Sequence, residues 1–151
     1  MNSILAGAAA LMLAAVAGCS VPAAAPAPLP AGGGASVVLR FGHHAVRATL
    51  TGSPAARQLA GMLPVTVQLK DVWGQAKSGR LPQPLTVQDA VAVHDPAPGH
   101  IYFWPLTEVI AVYYDDLGQR VPAPGLVALG TIDDGLTEIT AIGRGAAVRI
   151  E

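Results

Sequence analysis

Residues 48–85, "ATLTGSPAARQLAGMLPVTVQLKDVWGQAKSGRLPQPL", carry the reading that decides the fold. Ser53 is a good helix N-cap, because its hydroxyl can take a backbone N–H left orphaned at a helix start. Pro54 then stands at the first helical position, where its missing N–H costs nothing. Leu59, Met62 and Leu63 share one face of the predicted helix, and Pro64 stops it. Val65 to Val72 alternate apolar and polar at period two, the pattern of a half-buried strand. Asp71 to Pro84 are interrupted by glycine and proline and read as a loop.

The same alternation of short elements extends outward. "SVVLRF" (36–41) and "AVRATL" (45–50) are β-branched runs separated by Gly42, His43 and His44, which predicts a hairpin. "HIYFW" (100–104), "EVIAVYY" (108–114) and "LVALGTI" (126–132) are rich in aromatic and β-branched residues and read as strands. "GLTEITAI" (135–142) reads as a short helix after Asp133 and Asp134, and "AAVRI" (146–150) as a closing strand. Many short strands with one or two short helices predict a mainly β fold, a small closed barrel rather than a βαβ sheet.

The first forty residues differ in kind. No Lys, Arg, Asp or Glu occurs before Arg40. The apolar run from Ile4 to Val16 is shorter than the roughly 20 residues of a membrane-spanning helix but fits the apolar segment of a signal peptide. It ends in Val16-Ala17-Gly18-Cys19, which resembles a bacterial lipobox, and Cys19 is the only cysteine of the chain. The resemblance implies cleavage before Cys19 and acylation of its thiol. Several acyl chains on one residue supply the multiple hydrophobic signals that stable anchoring needs. The n-region Met1-Asn2-Ser3 carries no positive charge, a departure from the usual signal. Residues 19–35, rich in Pro, Ala and Gly, read as a disordered, semi-rigid spacer, able to hold a domain roughly 40–50 Å from a bilayer. The expected organisation is a signal peptide over 1–18, the lipidated linker over 19–35 and one domain over 36–151. The expected location is across the inner membrane, anchored by lipid in the outer membrane and facing the periplasm, since Ser20 follows the cysteine rather than an aspartate.

Composition narrows the function classes. The 151 residues are 52% hydrophobic and 13% charged, with net charge −1. No basic stripe exists to neutralise a phosphate backbone, so nucleic-acid binding has no electrostatic footprint. A lone cysteine forms no internal disulfide, so the fold rests on its core.

Residues 37–151 are similar to the bacterial cyclophilin-like domain family. The resemblance lies in residues 48–85, in "GHIYFWPLTEVIAVYYDD" (99–116) and in "LVALGTIDDGL" (126–136). Its markers are Leu63-Pro64, then Asp71, Gly74, Lys77 and Leu81-Pro82, and then Leu129-Gly130-Thr131-Ile132-Asp133. The resemblance implies a closed cyclophilin-type β-barrel. Relatives often carry Asp at the position of His100 and an acid at the position of Ala76. The Phe-Arg pair of the prolyl isomerases has no match; the nearest residues are Arg40-Phe41, in reversed order.

Candidate chemistry is sparse. His43 and His44 are neighbours on a chain turn and point apart; His94 and His100 have no ligand cluster beside them, so no metal is expected. Asp115-Asp116 and Asp133-Asp134 read as turn and capping residues. No catalytic residue and no cofactor is nominated. The aromatic group holds the most information. Trp73, Tyr102, Trp104, Tyr113 and Tyr114 form almost the whole aromatic content. Of these Trp73, Tyr102, Trp104 and Tyr113, with Arg120, are the candidate cleft, and Tyr113 and Tyr114 face opposite ways. Tyr102 and Trp104 share a strand face, and Phe103 takes the other. Filling the barrel is the favoured use of such side chains. The functional alternative is a cleft that stacks on a small molecule or a peptide segment, with Arg120 or Arg57 as an anion contact. The expected function is therefore a binding module of the cell envelope. A residual prolyl isomerase and an envelope interaction protein are the alternatives.

Overall fold

The computed structural model describes residues 33–151. The expected signal peptide, Cys19 and all but the end of the expected linker lie outside the described residues. Among the described residues no helix is long and apolar enough to cross a membrane.

Nine strands and two helices follow in the order β1 (Ser36–Phe41), β2 (His44–Leu50), α1 (Pro54–Met62), β3 (Val65–Val72), β4 (Ala76–Arg80), β5 (Ala92–Val93), β6 (His100–Trp104), β7 (Val109–Tyr113), β8 (Leu126–Asp134), α2 (Leu136–Thr140) and β9 (Gly145–Ile150). The spatial order is β2-β1-β9-β3-β4-β7-β6-β8, and β8 also pairs with β2, which closes a barrel. β5 lies outside that ring on β8, pairing Ala92 with Val127 and Val93 with Leu126. All pairings are antiparallel. Closure removes the exposed strand edges that an open sheet would present.

β8 makes closure possible because Gly130 serves two neighbours, pairing with Ile101 of β6 and Leu50 of β2. A Cβ at Gly130 would stand 2.4 Å from the Thr49 carbonyl oxygen, so no other residue fits without moving the backbone. The barrel interior is filled by alternate strand residues, among them Leu39, Val46, Val67, Phe103, Leu129 and Val148. α1 packs against β2 and β8 and adds Ala55, Ala56 and Leu59 to that core. Its start is built as expected: Ser53 Oγ accepts the Ala56 N–H at 3.2 Å, and Pro54 opens the helix.

Two strands depart from the expected pattern. β4 lies inside the stretch read as a loop. The two glycines of that stretch, Gly74 before β4 and Gly79 within it, have structural reasons that composition alone does not reveal. Trp73, Gly74 and Gln75 connect β3 to β4. Trp73 and Gly74 have positive φ of 54° and 67°, as the two central residues of a tight turn of this hand require, and Gln75 N–H closes the turn on Val72 O at 3.2 Å. Gly79 lies so close to β3 that a Cβ would meet Gln68 O at 2.3 Å. β5 is two residues long and gives no periodic signal.

Tyr102 and Tyr113 do not fill the barrel. Phe41 and Phe103 belong to the inner core, whereas Ala76, Tyr102, Ala111, Tyr113 and Leu126 form a separate cluster. Strand alternation places that second cluster on the outer face of β4, β7, β6 and β8. Val93, Trp104, Val121 and Ala128 pack against it.

Candidate functional site

The outer cluster is crossed by residues 114–125, which form a strap. Its first residues are held by Tyr114 N–H and Asp115 N–H donating to Gln75 O at 2.9 and 3.2 Å. Its far end is held at His94: Val121 N–H donates to His94 O at 2.8 Å, and His94 Nδ1 lies 2.8 Å from Val121 O. Between these points Asp116 Oδ1 accepts the Gly118 N–H at 2.8 Å, which tightens the turn. Asp115 Oδ1 likewise accepts the Asp116 N–H at 2.8 Å. The turn role expected for this acidic pair is the one observed.

Between strap and barrel lies a cleft of about 120 Å³, lined by Trp73, Gln75, Trp104 and Tyr113 from the barrel side and by Gln119, Arg120, Val121 and Pro122 from the strap. Of the five residues nominated for a ligand cleft, Trp73, Trp104, Tyr113 and Arg120 line this one space. Tyr102 lies beneath it, 3% exposed. Its ring meets Tyr113 edge-on at 5.5 Å, and its hydroxyl accepts the Ala97 N–H at 3.1 Å. Burial, and then the proximity of Tyr102, raises the Tyr113 phenol above its ordinary range, so its hydroxyl stays neutral.

Two features of the cleft wall run against simple packing. Trp73 is 62% exposed although it is a large apolar ring, and its backbone occupies a conformation that non-glycine residues rarely adopt. Trp104 Nε1 is buried with no hydrogen-bond partner among the described residues. An unpaired buried donor costs about 1–3 kcal/mol, so its retention calls for a reason.

A second constellation supports the same region. The motif Asp71, Gly74, Lys77 becomes a hydrogen-bonded hub centred on Asp71. Oδ1 accepts the Gly74 N–H at 2.9 Å, and Oδ2 accepts Lys77 Nζ at 2.8 Å and the Tyr114 hydroxyl at 2.6 Å. Lys77 pairs with Val112 across β4 and β7, so it points to the barrel interior, where it is 2% exposed and also donates to Gly143 O at 2.7 Å. Its ammonium stands 5.3 Å from the centre of the Tyr114 ring. Hydrogen bonds from Lys77 first and Tyr114 second hold the Asp71 carboxyl below its ordinary range. Burial, then the bond to Asp71, pushes the Tyr114 phenol up to about 12. The hub ties the turn that presents Trp73 to the first residue of the strap that presents Arg120. Lys77 and Tyr114 are not among the expected cleft residues; Lys77 stands out in the sequence only as a marker of the family resemblance, and Tyr114 only as a member of the aromatic group.

Other nominated residues fall elsewhere. Arg57 donates to Gly52 O and lines a cavity of about 250 Å³ beside Gly33 and Ala35, away from the aromatic cleft. Asp133 and Asp134 do not cap α2, whose N-cap is Gly135. They bond across to β2 instead, Asp133 accepting Thr49 Oγ1 at 2.9 Å and Asp134 pairing with Arg47. His44 stacks on Phe41 at 5.3 Å, and His100 on Tyr102 at 5.8 Å. No group of metal-ligating side chains occurs among the described residues. A larger cavity, about 430 Å³, runs between the start of α1, residues 86–91 and β8, and Asp89 is the one ionisable residue in its described wall. It has the greater volume, but the aromatic cleft has the denser chemistry.

Comparison with known proteins agrees with this architecture. A solution structure of a hypothetical protein from Archaeoglobus fulgidus superposes with a TM-score of 0.57 at 20% identity, covering 80% of this chain and 95% of that one. At that identity the likeness is one of fold. No curated protein matches the chain. The model of the cyclophilin-like family matches residues 39–151, the whole barrel from the middle of β1 to the last residue. The chain belongs to the cyclophilin-like family.

Proposed function

We propose that the domain is a binding module, and that its site is the cleft between the strap and the outer face of the barrel. The observation that carries this reading is Trp73: an exposed indole, held at positive φ, standing over a space walled by Trp104, Tyr113 and Arg120. Polar-tipped aromatics around a concavity suit the face of a planar ligand or of a peptide group. In this proposal Cys19 is acylated and residues 19–35 tether the module to the outer membrane, so that the cleft samples the periplasm.

The isomerase alternative gains no support from Arg40 and Phe41. Arg40 is on the outer surface with Glu151, and Phe41 is buried in the barrel, so the two do not share a site.

The test is direct because the chain has two tryptophans and both line the cleft. Titration of the protein with a panel of small molecules and short peptides, followed by tryptophan fluorescence, should show saturable changes for some ligand class. Saturable binding to the protein, seen by calorimetry, with no fluorescence response and unaltered by Trp73→Ala would place the site elsewhere.

A further inference from the structure

We infer that the cleft takes a small planar carboxylate, a single ring bearing one anionic group. The inference rests on the cleft being the binding site and assigns its ligand class.

Size comes first. A dry cavity of roughly 150 Å³ accommodates a benzene ring, and ligand sites for larger organic molecules start near 300 Å³. At about 120 Å³ the cleft is smaller than both, so it seats at most one ring, left partly open to solvent beside the exposed Trp73 and Arg120. Trp73, Trp104 and Tyr113 provide aromatic surfaces against which a flat body stacks.

Polarity comes second. Gln75 is 4% exposed and lines the cleft, yet its side-chain amide pairs with no described residue. Unlike Trp104 Nε1, its amide is not fully sealed from solvent, and the concavity that Gln75 lines is this cleft. A nine-tenths buried amide without an internal partner is costly unless something else completes it.

Charge comes third. Arg40, Arg47, Arg80 and Arg149 each have a carboxylate within 4.0 Å. Arg120 has none among the described residues, and the carboxylates nearest to it in sequence, Asp115 and Asp116, accept backbone N–H groups of their own turn. The cleft thus offers an amide donor from Gln75 and the planar fork of Arg120, a donor set that matches a carboxylate in geometry and sign. Gln119, also in the wall, can complete it.

The experiment titrates the full chain with benzoate, and separately with benzyl alcohol as the uncharged ring and with a short uncharged peptide. Tryptophan fluorescence and calorimetry provide the readouts. Benzoate should bind with a dissociation constant on the order of 0.1–1 mM, appropriate to so few atoms, and benzyl alcohol about ten-fold more weakly. Arg120→Gln should weaken benzoate by about ten-fold and change benzyl alcohol much less, whereas Gln75→Leu should weaken both, because the amide can also bond the alcohol hydroxyl. Arg144→Gln, an exposed arginine outside the cleft, should leave both unchanged. Circular dichroism of each variant separates lost binding from lost folding, and Arg120 is exposed enough that its variant should fold. Equal binding of benzyl alcohol and benzoate overturns the anionic class and leaves the cleft as a ring site. Binding of the peptide alone overturns the class in favour of a macromolecular ligand at the same cleft. No response to any of the three, with other ligands of the panel still binding at Trp73, also overturns it. No response to the whole panel removes the binding reading itself.

Discussion

Lys77 Nζ stands 2.8 Å from Asp71 Oδ2 inside one end of the barrel, and the same oxygen accepts the Tyr114 hydroxyl at 2.6 Å. One carboxylate thereby holds a buried cation, a hairpin turn and the start of the strap that roofs the cleft. The arrangement costs desolvation, since Lys77 is 2% exposed while the Asp71 side chain keeps 33% of its exposure. The pair persists because each partner would be worse off alone.

Removing the carboxylate should therefore hurt more than removing the cation. Asp71→Ala strands a buried ammonium with Gly143 O as its remaining partner, and we expect a loss of about 2–4 kcal/mol. Lys77→Met keeps the length of the side chain, discards the charge and leaves Asp71 its other donors, so about 1 kcal/mol is expected. Urea unfolding of both variants measures the difference. A Lys77→Met loss as large as that of Asp71→Ala would contradict the desolvation argument.

Stability should fall at both ends of the pH range for separate reasons. The Asp71 carboxyl is held below its ordinary value, so its contribution is complete above the unfolded-state value near 4 and is lost as pH drops through the lowered folded value. The Tyr114 phenol is pushed up to about 12, so its contribution is complete below about 10 and is lost as pH rises from there toward 12. Asp71→Asn should flatten the acid limb of a stability–pH curve, and Tyr114→Phe the alkaline limb. Unchanged limbs in both variants would mean that the hub does not link folding to protons.

The turn at Trp73 trades stability for the position of an indole. Asn-Gly is the preferred pair for two consecutive positive-φ residues. Trp73→Asn should stabilise the protein by about 0.5–1 kcal/mol. The same variant should weaken binding of any ligand that stacks in the cleft. A melting temperature below that of the parent would show that the Trp73 ring contributes more packing than its 62% exposure implies.

Gly130→Ala tests barrel closure. Its Cβ would approach Thr49 O to 2.4 Å, forcing β8 away from β2. A loss of about 3 kcal/mol or more is expected, beyond the usual range for a tight core substitution. Gly61→Ala, where a Cβ meets nothing within 4 Å, is the control and should be neutral or stabilising. Equal behaviour of the two would show that β8 can shift freely.

The proposed anchor has its own test. In a bacterial host Cys19→Ser should move the protein from the membrane fraction to the soluble fraction, with the barrel unchanged by circular dichroism. Membrane fractionation that is indifferent to the substitution would remove the lipid anchor.

How far the sequence reaches depends on whether a residue acts locally. Ser53, Pro54 and the alternation over 65–72 work through neighbours within a turn or along one strand, and the helix and strand they predict are the ones observed. β4 was not legible, because the glycine within it answers to a contact elsewhere and the one before it to a turn. Gly79 is required by the Gln68 backbone in β3, and Gly74 by the reversal of the chain. A breaker within a strand looks the same as a breaker in a loop until the neighbour is known. The acidic pairs divide in the same way: Asp115 and Asp116 serve their own turn, as local chemistry predicts, whereas Asp133 and Asp134 reach across to β2.

By itself, the sequence determined a mainly β domain, the helix with its cap and stop, the strand faces, and the set of aromatic residues from which a cleft could be made. Each follows from propensity or period, which act over a few residues. Tertiary structure decided that Tyr102 and Tyr113 lie outside the barrel, that Lys77 and Asp71 meet within it, and that a strap brings Arg120 to Trp73 and Trp104. Those outcomes depend on strand order and closure: alternation says that Tyr102 and Phe103 face opposite ways, but only the closed ring assigns one of them to the inside.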